Sequence, residues 1–96
     1  MRSIAGRSNG STYMYYTYVL ELTNKNLYIG WTVDLRHRIE SHLDGKVKAT
    51  KPYLPAKLVY YEACLARENA ILREKQLKTG FGRAYLKRRT QLCRVV

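Results

Sequence analysis

Two tyrosines, an arginine and a glutamate stand at spacings that could assemble a phosphate-cutting site: Tyr18, Tyr28 within Tyr28-Ile29-Gly30, Arg38, and Glu74. An arginine can fork onto a phosphate oxygen and stabilise the charge that grows during cleavage. A carboxylate can hold a hard cation such as Mg²⁺ through oxygen. A free tyrosine titrates near 10, so it serves as a base at neutral pH only where nearby cations favour the phenolate. His42 follows Arg38 by four residues and shares its side of a helix, where it could orient water or relay a proton. Each residue also has a plainer reading. Strand tyrosines fill cores or stack on bases, Arg–His pairs decorate helix surfaces, and lone histidines are commonly exposed or structural.

Glu74 carries the strongest local argument. In a helix running from Ala66 to about Thr79, the apolar positions are Ala70, Ile71 and Leu77. Glu74 comes four after the first and three before the last, which places it in the buried stripe. Burying an unpaired charge is expensive, so this carboxylate needs a partner. The choice is between a cation of the chain, such as Arg67 or Lys78 on the same helix, and a divalent metal ion.

The elements that would position these residues follow from local pattern. Tyr15 to Leu22 is aromatic and β-branched, Thr23-Asn24-Lys25-Asn26 is a turn signal, and Leu27 to Trp31 reads as the returning strand of a hairpin. Register decides whether the two tyrosines cooperate. If opposed residue numbers add to an even value, as with Leu22 opposite Tyr28, Tyr18 and Tyr28 share a face; pairing Leu22 with Leu27 separates them. Thr32 or Asp34 caps a helix to about Leu43, with Leu35, Ile39 and Leu43 as its apolar line and Gly45 as its stop. Residues 46–56 form a basic loop, and Lys57 to Glu62 a third strand. The helix from Ala66 is ended by Gly80 and Gly82, and a short basic helix covers about Arg83 to Gln91. Gly30 allows close backbone approach at a strand end.

Ninety-six residues make one domain, read as a flexible lead over 1–12 and a folded unit over 13–96. Eighteen Lys and Arg against seven Asp and Glu set the net charge at +11, and no acidic residue follows Glu74. That field attracts polyanions, with nucleic acid the first partner class and an anionic membrane or acidic protein the others. Lys46, Lys48 and Lys51 in the loop, and Lys78, Arg83, Lys87 and Arg88 toward the C-terminus, are the candidate phosphate contacts. The apolar runs are too short to span a membrane, and the N-terminus has no secretory core. Cys64 and Cys93 lack metal-ligand or disulfide-scaffold spacing, which fits a reducing cytoplasm.

Taken together, the chain resembles the GIY-YIG nuclease family over about residues 15–90. The second motif is intact as Tyr28-Ile29-Gly30, and Tyr16-Thr17-Tyr18 stands for the first, with Tyr18 in the place of its tyrosine. Arg38 and His42 follow Tyr28 by ten and fourteen residues, and Glu74 within Arg73-Glu74-Lys75 matches the family's metal-binding glutamate. The similarity points to small members related to the nuclease module of the bacterial excision-repair C subunit. It implies an α+β fold of order ββα-β-αα, a three-stranded, mainly antiparallel sheet packed by about three helices. It also implies an endonuclease dependent on Mg²⁺ or Mn²⁺ that hydrolyses nucleic acid, with DNA placed before RNA; a lone module without a targeting domain would cut with little sequence specificity. Glu74 would hold one metal ion, Arg38 clamp the phosphate, and Tyr18 or Tyr28 help deprotonate water, with His42 in support. Two features depart from the family pattern: the first motif lacks its glycine and isoleucine, and no Asn follows Asn69. The alternative is a basic nucleic-acid-binding module that has lost catalysis.

Overall fold

The computed structural model describes residues 13–95, with side chains through residue 90. The lead over 1–12 and the Cys93 side chain lie outside the described residues. Strands β1 (Tyr15–Glu21) and β2 (Leu27–Thr32) form the expected hairpin, and β3 (Lys57–Cys64) pairs antiparallel with the other side of β1. The strand order is therefore β2-β1-β3. As the central strand, β1 buries Thr17, Tyr18, Val19 and Leu20 in succession, toward both faces of the sheet. With helices α1 (Leu35–Leu43), α2 (Arg67–Leu77) and α3 (Gly80–Val95), the chain has the expected ββα-β-αα order.

The hairpin register settles the tyrosine question. Tyr18 faces Gly30 and Leu20 faces Tyr28, an even-sum pairing, so Tyr18 and Tyr28 lie on the same face. The register is shifted by two residues from the Leu22–Tyr28 example: Leu22 stands opposite Asn26 and donates its N–H to the Asn26 carbonyl. Lys25 takes the left-handed conformation that closes the turn (φ 72°), and the Asn24 side chain accepts from Asn26 N–H.

The opposite face carries the main core, in which Val19 and Ile29 meet Leu77 of α2 and Leu86 of α3. A hydroxyl bond from Thr17 to the Ala70 carbonyl (2.9 Å) ties β1 to α2. On the same side Arg73 forks onto Glu62, which also accepts from Tyr60. That pair joins α2 to β3, and the Arg73 hydrogen bonds hold the Glu62 carboxyl below its ordinary range despite the opposing effect of burial.

Helix α1 starts where Asp34 accepts from His37 N–H (3.1 Å) and stops before Gly45 at φ 76°. Its expected apolar line needs correction. Leu43 is 49% exposed, whereas His42 is fully buried and takes the position facing the sheet. Helical phase alone favours the leucine; the imidazole wins because it finds hydrogen-bond partners inside.

Gly80 and Gly82 also differ from expectation. They do not end α2 but lie in the first turn of α3, which begins earlier than residue 83. Thr79 makes the corner: its hydroxyl donates to the Gln76 carbonyl (2.7 Å) and accepts from Gly82 N–H (3.1 Å). The glycine at 82 is steric in origin, since a Cβ there would lie 2.2 Å from the Gln76 carbonyl oxygen and 2.4 Å from Leu77 Cα. Gly82→Ala is expected to cost about 3 kcal/mol of stability, because the obstacle is backbone rather than a movable side chain. Gly80→Ala, whose Cβ meets nothing within 4 Å, should leave the urea midpoint nearly unchanged. Equal midpoints for the two variants would refute the close-packed corner.

Candidate active site

Strand alternation and the hairpin register bring Tyr18, Tyr28 and Gly30 to the sheet face under α1. The Tyr18 ring lies across Gly30, where a Cβ would sit 2.7 Å from the phenolic oxygen and 2.9 Å from Cζ. Glycine is needed there so that Tyr18 can cross its neighbouring strand. Tyr18 is fully buried and Tyr28 half-buried, with ring centroids 6.3 Å apart.

From α1, His42 Nε2 meets the Tyr18 hydroxyl at 2.8 Å, and Arg38 Nε donates to the same oxygen at 3.2 Å. The His42 ring also packs edge-on against Tyr28, centroid to centroid 5.0 Å. Its other nitrogen, Nδ1, lies 2.8 Å from the hydroxyl of Thr50, a fully buried residue in the loop after α1. The Thr50 hydroxyl reaches the Val47 carbonyl at 3.4 Å. The network assigns the protons. Thr50 donates to Val47 and accepts from Nδ1–H, which leaves Nε2 as the acceptor for the Tyr18 proton. The Tyr18 oxygen is then free to accept from Arg38.

The electrostatics agree with that assignment. Burial, assisted by the positive charge of Arg38, pulls the His42 imidazole down to about 4, so it is neutral at pH 7. Burial pushes the Tyr18 phenol up against the lowering effect of the Arg38 hydrogen bond, and negative charge on Tyr28 or Glu74 raises it further. The hydrogen bond to Tyr18 raises the Arg38 guanidinium, and the nearby Tyr28 phenol adds to the effect. Arg38 is thus bonded to the Tyr18 phenol, with Tyr28 close by.

Protonating His42 disfavours the fold. Between pH 4 and about 6.5 the unfolded chain binds the proton that folded His42 refuses, so stability falls as pH drops through this window. Wild type should lose about 2 kcal/mol between pH 7 and pH 5 from this residue. Urea unfolding of wild type and His42→Gln at the two pH values measures the difference; parallel losses would mean that His42 is not held neutral.

Glu74 stands apart from the expected picture in one respect. Its side chain is 19% exposed rather than sealed in an apolar stripe, and it pairs with Lys78 at 2.9 Å, one turn along α2. The neighbouring apolar positions Ala70 and Leu77 are buried, so Glu74 lies on the margin of the stripe. It is still close enough for its charge to disfavour ionisation of Tyr18. Among the described residues, no three His, Cys, Asp or Glu side chains cluster as a metal site.

The candidate phosphate contacts Lys46, Lys48, Lys51, Arg83, Lys87 and Arg88 are all exposed, whereas Lys78 is engaged by Glu74. Cys64 is a free thiol. No helix of the described residues is long and apolar enough to cross a membrane. Sequence reasoning missed Thr50. Nothing in its surroundings, a Lys-rich loop eight residues after His42, marks it as a partner for an imidazole.

Comparison with known proteins places this geometry. The model of the GIY-YIG catalytic domain matches residues 14–88. A UPF0213 protein of Syntrophus aciditrophicus (strain SB) is 42% identical over 65 residues, covering 66% of this chain and 75% of the relative. UPF0213 protein SpyM50708 of Streptococcus pyogenes serotype M5 (strain Manfredo) is 44% identical over 64 residues, covering 66% and 70%. The solution NMR structure of UPF0213 protein BH0048 from Bacillus halodurans is similar at a TM-score of 0.50 and 32% identity, over 76% of this chain and 81% of that one. With the matched domain spanning both strands of the hairpin and the helices α1 and α2 that carry the rest of the site, the chain belongs to the GIY-YIG nuclease family.

Proposed function

We propose that this protein is an endonuclease that hydrolyses phosphodiester bonds with one divalent cation, cutting DNA rather than RNA with little sequence preference. The observation that carries this reading is the placement of Arg38, whose guanidinium is bonded to buried Tyr18 and lies close to half-buried Tyr28 on a single sheet face. Nε is spent on Tyr18, which leaves the terminal nitrogens to reach Tyr28 and a phosphate oxygen.

The donor set fits a mostly hydrated Mg²⁺ or Mn²⁺. Glu74 offers hard carboxylate oxygen, and such cations keep several waters of their own. Lys78, its partner, is a half-exposed ammonium whose displacement costs little. Held at Glu74, the cation would polarise the phosphate and acidify water. One carboxylate argues for one metal ion rather than two.

The two tyrosines take different roles. Tyr18 is sealed from solvent, with its proton directed at His42, and serves to hold Arg38 in place. Tyr28 is the half-buried phenol open to substrate, and it lies beside Arg38 where the attacking water would enter. Tyr28 then accepts the proton of the attacking water while Arg38 neutralises the charge on the phosphate. His42 and Thr50 position Tyr18. The basic loop and α3 supply salt-sensitive affinity for the backbone.

The Glu74–Lys78 ion pair favours a second reading, a nucleic-acid-binding module without catalysis. A cleavage assay over single-stranded, duplex and branched DNA and RNA, with Mg²⁺ and Mn²⁺, separates the two. Cleavage by wild type, absent in Glu74→Ala, supports the nuclease. Salt-sensitive binding with no cleavage in either metal supports the module.

A further inference from the structure

The sheet face bearing Tyr18 and Tyr28 extends beyond the ground covered by α1. Across the β1–β3 ladder, Tyr61 stands directly opposite Tyr18, and its side chain is 53% exposed. Tyr16, two residues before Tyr18 on the same face, packs against it with ring centroids 6.2 Å apart and planes tilted by 56°. Leu58, 37% exposed, and exposed Ala63 continue the strip along β3. His42 of α1 packs on Tyr18 and Tyr28, toward the β1–β2 half. An apolar shelf thus borders the candidate active site on its β3 side.

We propose that Tyr16 and Tyr61 form a stacking subsite for an unpaired base adjoining the scissile phosphate, an inference that rests on the nucleic-acid reading above. Three observations select this occupant. The chain carries a net charge of +11, which favours a polyanion over an acid-poor protein surface. The shelf is aromatic, and a base presents a π-face whatever its identity, so stacking adds affinity without sequence preference. Its position is continuous with the reacting groups, since neighbouring strands run about 4.8 Å apart and Tyr61 is one strand from Tyr18. A partner strand adding to the edge of β3 fits less well. That edge opens with exposed Lys57 and is interrupted where the register slips between Val19 and Leu20 and skips Val59, both features that blunt strand addition. A paired duplex buries its base faces, so the subsite selects single-stranded or frayed substrate next to the cut.

Equilibrium binding of labelled single-stranded oligonucleotide and blunt duplex, with chelator and no divalent metal, reads the subsite apart from catalysis. Tyr61→Ala should weaken single-strand binding about tenfold and leave duplex binding unchanged. Tyr61→Trp should match wild type, and Tyr61→Leu should not restore affinity. Unchanged single-strand affinity in Tyr61→Ala, equal loss on duplex, or rescue by Leu as complete as by Trp would each overturn the proposal. Circular dichroism of the variants confirms folding, which the exposure of Tyr61 favours. Wild type that binds single strands through Tyr61 yet never cleaves would remove the nuclease reading and leave the subsite standing. Wild type that binds no nucleic acid at low salt would remove both.

Discussion

Glu74→Ala is expected to lower metal-dependent cleavage by more than about a hundredfold while leaving nucleic-acid affinity and stability near wild type. The prediction is sharp because the site has little redundancy. Among the described residues, no cluster of three or more potential metal ligands stands ready to take over. The stability side follows from the partner. Glu74 pairs with Lys78 on its own helix, both side chains reach solvent, and such i,i+4 pairs contribute about 0.3–0.5 kcal/mol. Removing the carboxylate also adds no like charge near phosphate, so binding should persist. Initial rates over a Mg²⁺ titration, with binding measured by anisotropy, test both halves. Equal nicking by wild type and variant would identify the activity as a contaminant and end the assignment.

Arg38→Ala should cost about a hundred- to a thousandfold in kcat, with a smaller change in KM, as expected for a donor aimed at charge that develops during the reaction. Arg38→Lys should not rescue it. A lysine ammonium is a point charge on a flexible stem and cannot hold the Tyr18 hydroxyl and a phosphate at once through a planar fork. A second readout is independent of turnover. Arg38 contributes to the depressed imidazole of His42, so in Arg38→Ala the His42 titration should move up from about 4, although burial, the larger cause, stays in place. Reduced affinity with unchanged kcat would reduce Arg38 to a substrate contact.

Much of this architecture was legible before folding, because the signals are local. The aromatic and β-branched run from Tyr15 to Leu22, the Thr23–Asn26 turn and the Asp34 cap each act over a few residues, and the structure contains a strand, a turn and a cap there. The even-numbered hairpin register, on which the tyrosine pair depends, was one of two stated alternatives and is the one present. The errors have a common origin. Composition marks Gly82 as a helix stop, yet its glycine answers to the backbone of α2, an obstacle that exists only once the corner is packed. Helical phase places Leu43 inside, yet His42 is there, because an imidazole with two partners outcompetes a leucine one position along.

The sequence by itself determined the basic field, the strand and helix order, and the spacing that sets Tyr18, Tyr28, Arg38, His42 and Glu74 within one fold. These depend on charge, periodicity and turn chemistry, which a linear chain displays directly. Only the tertiary structure decided that Tyr18 is sealed while Tyr28 stays half-buried, that Thr50 sets the His42 tautomer, that Glu74 meets Lys78, and that half-buried Tyr16 packs against exposed Tyr61. Burial and hydrogen-bond partnership arise between residues up to tens of positions apart, such as Tyr18 and His42 at a separation of 24. Their outcome is fixed by which side chains the packed layers leave room for, and no local pattern records that competition.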